Sequence, residues 1–380
     1  MSKKVLFAAS VKPHLLFHAP HMEWFRERGY EVHACARGGP GGPELAHCDR
    51  FMDIGIRRSP FRLANIAAYR QLKSIIDENA YDLISCHTPV CGVLTRLAAR
   101  RARRRGSAVM YTAHGFHFYA GAPIMNWLMY YPAERLCAGV TDMLVTINAE
   151  DFAFAKARLP ARRVRHMHGV GVDAGAIRAA EADVRRLRDE NGVPQDAALL
   201  ISVGETNRNK NHITVLRALK TLLDRGVDGF RYLICGDGEG FGRLRGQTEA
   251  LGLAGHVRLL GRRDDVIALL KASDVFLFPS FREGLPKSLM EAMAAGLPAV
   301  CSDIRGNRDL IRDGEGGLMA RPDDVEGFAA AIQRMMDSPS TRLGMGRENM
   351  RAVEPYDLGN VMREYEAIVA EAMELRDGQK

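Results

Sequence analysis

Long apolar runs are missing from this 380-residue sequence. None approaches the ~20 consecutive apolar residues that a membrane-spanning helix requires. The opening "MSKKVLFAASVKPH" resembles a signal peptide only superficially. Its apolar run stops at Lys12 with no cleavage-like or stop-transfer pattern behind it, so it reads as a first strand. Paired cysteines are missing too. Cys35, Cys48, Cys86, Cys91, Cys137, Cys235 and Cys301 are scattered, odd in number and mostly in apolar surroundings. That excludes a disulfide framework or a cysteine zinc site and fits a reducing cytoplasm. There is no low-complexity segment, no P-loop spacing and no Asp-x-Asp in a plausible loop. The basic residues are not interleaved with stacking aromatics, which argues against a nucleic-acid partner.

What is present is a rhythm. Short apolar runs at 5–10, 30–35, 82–87, 108–115, 142–147 and 164–169 alternate with helical patterns, and the second half repeats this at 198–204, 231–238, 257–261, 275–280 and 298–302. Strands alternating with helices of ten or more residues imply βαβ units and parallel sheets. The length suits two domains. The expected fold is therefore α/β, with two facing Rossmann-like doubly wound domains and a cleft between them. The expected boundaries are 1–172 for the first domain, 173–195 for a linker region, 196–355 for the second domain, and 356–380 for a C-terminal helix able to cross back to the first. Ligands of such sheets bind outside the carboxyl ends of the strands, so the strand-to-helix turns are where chemistry is expected.

Charge divides unevenly. Residues 1–168 hold 24 Lys+Arg against 13 Asp+Glu, a balance of +11, and the remainder holds 29 against 33, a balance of −4. A basic first half predicts that it meets something anionic. Six arginines fall between Arg96 and Arg105.

Three turns carry unusual residues. "VGETNRNKNH" (203–212) ends a strand at Gly204 and places Arg208 and Lys210 before a helix, a pattern that suits phosphate. "ICGDGEG" (234–240) carries Gly236 and Gly238, which allow a ligand or the other domain to approach the backbone closely. "FREGLPKSLMEAMAAGLPAV" (281–300) sets Glu283 in a loop. Gly284, Leu285, Pro286, Lys287 and Ser288 then lead into a helix that carries Glu291. A nucleotide sugar can be read from that turn, with ribose on the two acceptor oxygens of Glu291, phosphate on the amides of 285–288 and sugar hydroxyls on Glu283. Acidic residues near a helix start are also favoured by the macrodipole alone.

"EGLPKSLMEAMAAGLPAV" resembles the E-x7-E signature of the family-4 glycosyltransferases, which have the GT-B fold. "VGETNRNKNH" resembles their diphosphate loop, "GVGVD" their interdomain linker, and "GRRDDVIALLKASDVFLFPS" the approach to the signature. "DIRGNRDLIRDGEGGLMARPDD" resembles the segment after it. "KPHLLFHAPHMEWFRERGYEVHACA" and "YTAHGFHFYAGAPIMNWLMYYPAERL" resemble a bacterial capsule, exopolysaccharide and glycan-assembly branch. The resemblance spans almost the whole chain. It implies that Glu283 holds donor-sugar hydroxyls, Glu291 the ribose, and Lys210 with Arg208 the diphosphate, while His114 faces the donor sugar. Two positions depart from the pattern. Glu205 stands where many relatives have Arg, which turns attention to Arg208, and "SVKPH" replaces a Gly-Gly loop. His14, His18 and His117 are then candidates on the acceptor side, with a structural role for His14 equally open.

The expected activity is retaining transfer of a sugar from a nucleotide sugar, UDP-linked by the family's lean and such as a UDP-N-acetylhexosamine. The expected acceptor is a polyprenyl-diphosphate-linked or other glycan. No cofactor or metal is expected, because Lys210, Arg208 and the helix start supply positive charge to the leaving group. Glu283 is also a candidate nucleophile by its chemistry. The basic first domain predicts peripheral docking on the anionic inner face of the cytoplasmic membrane, and the aromatic stretch 116–132 fits a glycolipid acceptor there, with a solvated helix face as the other reading of the arginines and core packing an at least equal one of the aromatics. A nucleotide-sugar epimerase of the same fold is the alternative enzyme, and a binder of RNA or acidic glycans the alternative without catalysis.

Overall fold

The computed structural model describes residues 3–377, and its chain divides into two compact units. The first unit runs to Val170 and takes back the segment from Val361, and the second is Gly171–Asn360. The chain passes between them at 170–171 and again inside the helix Leu358–Asp377.

The first unit holds strands β1 (Lys4–Val11), β2 (Glu31–Arg37), β3 (Arg50–Asp53), β4 (Leu83–His87), β5 (Ala108–Ala113), β6 (Met143–Thr146) and β7 (Arg163–His166). They form one parallel sheet in the order β3-β2-β1-β4-β5-β6-β7. The second unit holds β8 (Ala198–Val203), β9 (Phe230–Cys235), β10 (Val257–Gly261), β11 (Val275–Phe278), β12 (Ala299–Ser302) and β13 (Gly317–Ala320). They form a parallel sheet in the order β10-β9-β8-β11-β12-β13. Each order reverses beside the unit's first strand, between β1 and β4 and between β8 and β11. That reversal is the switch point at which doubly wound sheets bind ligands.

Interior strands are apolar without alternation because helices cover both faces of the sheet. β4 and β5 are buried along their whole length. In the second unit, Leu199, Ile201, Phe276 and Phe278 serve one core. Their neighbours Ala198, Leu200, Val275 and Leu277 serve the core on the other face. β3 and β13 are absent from the sequence reading. Both are four-residue edge strands, and β3 is exposed at both ends.

Residues 173–195, expected as a linker, pack into the second unit. Its short helices Ala174–Ala179 and Val184–Glu190 place Ala174, Ile177, Leu187 and Val193 in that unit's core. The segment is charged on one face and apolar on the other, so its composition looks like a tether while its apolar stripe buries. No helix among the described residues is long and apolar enough to cross a membrane.

The arginine run is not one solvated face. Arg96 is fully buried, and its guanidinium donates to both carboxylate oxygens of Glu134 at 2.6 and 3.0 Å. It also lies 3.9 Å from the centroid of the Tyr111 ring. Arg103 pairs with Asp142 at 2.8 Å. Arg100, Arg101, Arg104 and Arg105 remain exposed.

Candidate functional site

The second unit's switch point collects the charged residues. β8 ends in a loop, 204–211, that leads into the helix His212–Asp224, and β11 ends in a loop that leads into the helix Lys287–Ala294. The loops are tied together. Phe281 N–H donates to the Asn209 carbonyl at 2.8 Å, and Asn209 Nδ2 donates to the Arg282 carbonyl at 2.8 Å. Asn211 takes the left-handed conformation (φ 55°), tolerated best by Asn among side-chain-bearing residues. Its amide donates to the carbonyls of Pro279 and Pro322 at 2.9 and 2.7 Å.

This frame aims Lys210 at Glu283. The Nζ–Oε1 distance is 2.9 Å, and both side chains are largely shielded. Lys210 Nζ also lies 4.7 Å from the centroid of the Phe278 ring. The helix after Glu283 starts without a side-chain cap, so its first amides are left for a ligand. Pro286 is the residue before the first helical turn, one position earlier than a first-turn proline. Gly284 lies in the loop, with its carbonyl where a side chain at Gly306 would clash, at 2.4 Å from an added Cβ. Leu285 packs on the core, Ser288 is half-buried at the helix start, and Lys287 is exposed and pairs with Glu291 at 3.0 Å. The buried Arg305 reaches the Glu283 carbonyl at 3.4 Å from behind.

Arg208 stands apart. It is exposed and lines, with Arg217 and Arg243, a cavity of about 460 Å³ whose walls include neither Lys210 nor Glu283. Gly236 and Gly238 are demanded by the protein's own backbone. A Cβ on Gly236 would lie 1.9 Å from the Gly204 carbonyl oxygen, and one on Gly238 would lie 2.9 Å from that of Thr206. The turn is glycine-rich because the 204–207 loop packs against it.

In the first unit, the groups after β1, β4 and β5 are histidines. His114 follows β5. Its ring centroid is 5.2 Å from that of His18 and 5.6 Å from that of His87. His18 and His87 stack at 3.6 Å, and His18 Nδ1 meets His21 Nδ1 at 3.3 Å. Burial lowers the pKa of all four, to about 3 for His21 and about 4 for His114. The cluster is neutral at physiological pH. His18 is enclosed on every side by these rings and Phe7, so it offers no surface to an acceptor. His14 and His117 line a cavity beside the cluster. One nitrogen each of His18, His87 and His114 lie within 4.8 Å of one another. A tetrahedral ion ~2 Å from each nitrogen needs rings that fan outward, whereas two of these are stacked, an arrangement suited to packing neutral rings.

His21, His87, Asn209, Asn211 and Arg305 escape a reading of the sequence because they come from separate segments. The only local signal is the pair of asparagines flanking Lys210 in "NKN".

The glycosyl transferases group 1 family matches residues 183–351, and the glycosyl transferase 4-like family matches residues 4–148. A putative glycosyltransferase of Bacillus subtilis, EpsD, is 39% identical over 383 residues, spanning all of both chains. The chain belongs to this glycosyltransferase family. An Escherichia coli UDP-Gal:alpha-D-GlcNAc-diphosphoundecaprenol alpha-1,3-galactosyltransferase is 29% identical over 300 residues, 76% of each chain. The crystal structure of Anabaena HepE in complex with UDP and glucose superposes with a TM-score of 0.79 at 19% identity, covering 97% of this chain and 99% of that one. At that identity the likeness shows the GT-B fold alone. Within this glycosyltransferase, the signature carboxylates Glu283 and Glu291 occupy one strand-to-helix turn, each with its own lysine partner.

Proposed function

We propose that this glycosyltransferase moves a sugar, with retention at the anomeric carbon, from a UDP-sugar to a polyprenyl-diphosphate-linked glycan in exopolysaccharide-type assembly. The observation that carries the reading is the Lys210–Glu283 pair beside an uncapped helix start that also carries Glu291. In the transfer, the bond between the anomeric carbon and the β-phosphate oxygen breaks, a bond to an acceptor hydroxyl oxygen forms, and that hydroxyl gives up its proton. Negative charge grows on the departing diphosphate, where Lys210 and the amides of the helix start can meet it without a metal. Glu283 is then placed for sugar hydroxyls and Glu291 for the ribose. The neutral His114 can donate or accept a hydrogen bond at a sugar hydroxyl.

The acceptor class is supported by the E. coli relative, whose name specifies a diphosphoundecaprenol-linked substrate, and by the excess of basic residues in the first half. A peripheral position on an anionic membrane surface follows from the same charge. The glycosyltransferase relatives favour transfer over the epimerase alternative. The test is a panel of nucleotide sugars in excess EDTA, scored by nucleotide release with and without an isoprenyl-diphosphate-linked N-acetylhexosamine. Release that depends on the lipid-linked acceptor and survives EDTA is expected. A new sugar nucleotide formed without acceptor would overturn transfer, and activity restored only by added magnesium or manganese would overturn the metal-free route.

A further inference from the structure

The first unit contains a cavity of about 240 Å³ whose walls are mostly apolar, including Phe61, Val93, Leu94, Phe116, Phe118 and Ala133, with Asn65 and the Arg96-paired Glu134 among the polar exceptions. A second cavity, of about 250 Å³, is polar and holds Ser10, His14, Arg58 and Thr88. The two share Pro89, Val90, His117 and Tyr130, so they adjoin across these side chains. His117 and Tyr130, with ring centroids 4.7 Å apart, form the common wall.

The polar end suits an anion. Arg58 Nη2 approaches His14 Nε2 at 3.3 Å, and Arg58 makes no ion pair with a carboxylate among the described residues. Ser10 and Thr88 hydroxyls meet at 2.6 Å. One hydroxyl hydrogen joins them, which leaves the other able to donate to a ligand. The apolar end opens among unusually exposed apolar side chains. Phe61 is 76% and Leu63 82% exposed beside it in sequence, and Ile124 and Leu128 are 71% and 64% exposed on the helix Ile124–Ala138 that supplies Ala133. Phe61 lines the cavity and is itself largely exposed, so apolar surface stands at its mouth, as at a ligand-binding or membrane-facing site.

We propose that the two adjoining cavities form one site for an isoprenyl diphosphate, with the first isoprene units against the apolar cavity and the diphosphate at Arg58 and His14. The proposal rests on the lipid-linked acceptor reading and assigns that acceptor its residues. An amphiphile with a doubly charged head and a branched apolar tail matches a polar cavity that holds an arginine beside a largely apolar one. A free nucleotide or a soluble saccharide would leave the apolar walls exposed.

The experiment is calorimetric titration of the full chain with farnesyl diphosphate, inorganic diphosphate, a linear alkyl diphosphate of equal carbon number, and UDP. Each buried methylene contributes about fourfold in affinity, so farnesyl diphosphate is expected to bind at least about thirtyfold more tightly than inorganic diphosphate. Ala133→Phe, which fills the apolar cavity, should weaken farnesyl diphosphate about tenfold and leave inorganic diphosphate unchanged. Val93→Phe repeats this change from a different helix in case the first variant misfolds. Arg58→Ala should weaken both diphosphates about tenfold. UDP binding should be unchanged in every variant, since its proposed ligands lie in the second unit. Farnesyl diphosphate binding no tighter than inorganic diphosphate, or indifferent to both cavity-filling variants, overturns the site, and equal affinity for the linear alkyl compound overturns the isoprenoid assignment. UDP binding without farnesyl diphosphate binding sinks this inference alone, whereas absence of UDP binding in the wild type sinks the transfer reading on which it rests.

Discussion

Replacing Lys210 by Ala removes the cation nearest the proposed leaving group and also strands a carboxylate. The ammonium group sits 2.9 Å from Glu283 Oε1, and both side chains are largely shielded from solvent. Two effects follow, and they separate by assay. Loss of a charge that acts mainly as the diphosphate departs should lower kcat by ~10²–10³-fold, or about 3–4 kcal/mol. The unpaired Glu283 carboxylate then faces the donor's phosphates and should weaken UDP by about fivefold, ~1 kcal/mol, the scale of a partly exposed ion pair. The double variant Lys210→Ala/Glu283→Ala removes that repulsion. It should recover UDP affinity in calorimetry while turnover, followed by nucleotide release, stays low. Turnover of Lys210→Ala within about threefold of wild type would refute the leaving-group argument. A double variant that binds UDP no better than the single one would refute the coupling of the two side chains.

Glu291→Ala should weaken UDP about tenfold, because the ribose belongs to UDP, while Glu283→Ala should spare UDP and damage transfer; equal losses of UDP affinity would contradict the division of roles. Glu134→Gln strands the buried Arg96 guanidinium and should cost about 3–5 kcal/mol in denaturant unfolding, with a loss under ~1 kcal/mol speaking against the pair. His18, His21, His87 and His114 have folded pKa values held below the ordinary 6.5 by burial. The unfolded chain therefore takes up protons that the folded chain refuses as pH falls through 6.5. Stability should drop by about 1 kcal/mol for each of them by pH 5.5, on the order of 10 °C in Tm, and a flat Tm between pH 7.5 and 5.5 would show that the cluster is not neutral when folded. The protein should co-sediment with anionic but not neutral liposomes, each exposed arginine near the surface contributing ~1 kcal/mol, and Ser at Arg58, Arg62, Arg101 and Arg104 should weaken it. Equal sedimentation with both lipids would transfer the role to the exposed apolar side chains.

The sheets were legible because their interior strands bury both faces. A continuous run such as "LISCH" in β4 needs no partner information to be recognised. β3 lacked that signal because it is exposed at both ends, and β13 because only the four residues Gly317–Ala320 carry it. Lys210 and Glu283 could each be placed at the carboxyl end of a strand from local pattern. Their pairing could not be seen, because it depends on β8 and β11 being neighbours across 73 positions of sequence. The sequence marks Gly236 and Gly238 as a turn that something approaches closely, a ligand or another part of the chain, and the backbone of residues 204–206 is one such neighbour that only the folded loop reveals. Arg96 shows the limit of counting charge. A run of six arginines between positions 96 and 105 looks like a solvated face until Glu134, 38 positions on from Arg96, turns that one into a core residue.

The placement of charge follows the same topology in both units, with opposite content. Where β8 and β11 diverge, the chain sets a lysine, two glutamates and an uncapped helix start. Where β1 and β4 diverge, it sets histidines that burial keeps uncharged. Glycosyl transfer needs fixed positive charge at one place, the diphosphate that departs. Around the hydroxyls it needs groups that can give or take a hydrogen bond without competing for that diphosphate. A protonated histidine at position 114 would attract phosphate as Lys210 does. A neutral one suits a sugar hydroxyl, and the rings of His18 and His87 packed beside it help to keep it neutral by excluding water, while a charge on His14 would repel its own. On the transfer reading, burial therefore keeps the histidine cluster uncharged, and the fixed positive charge proposed for the leaving group comes from the second unit's turn.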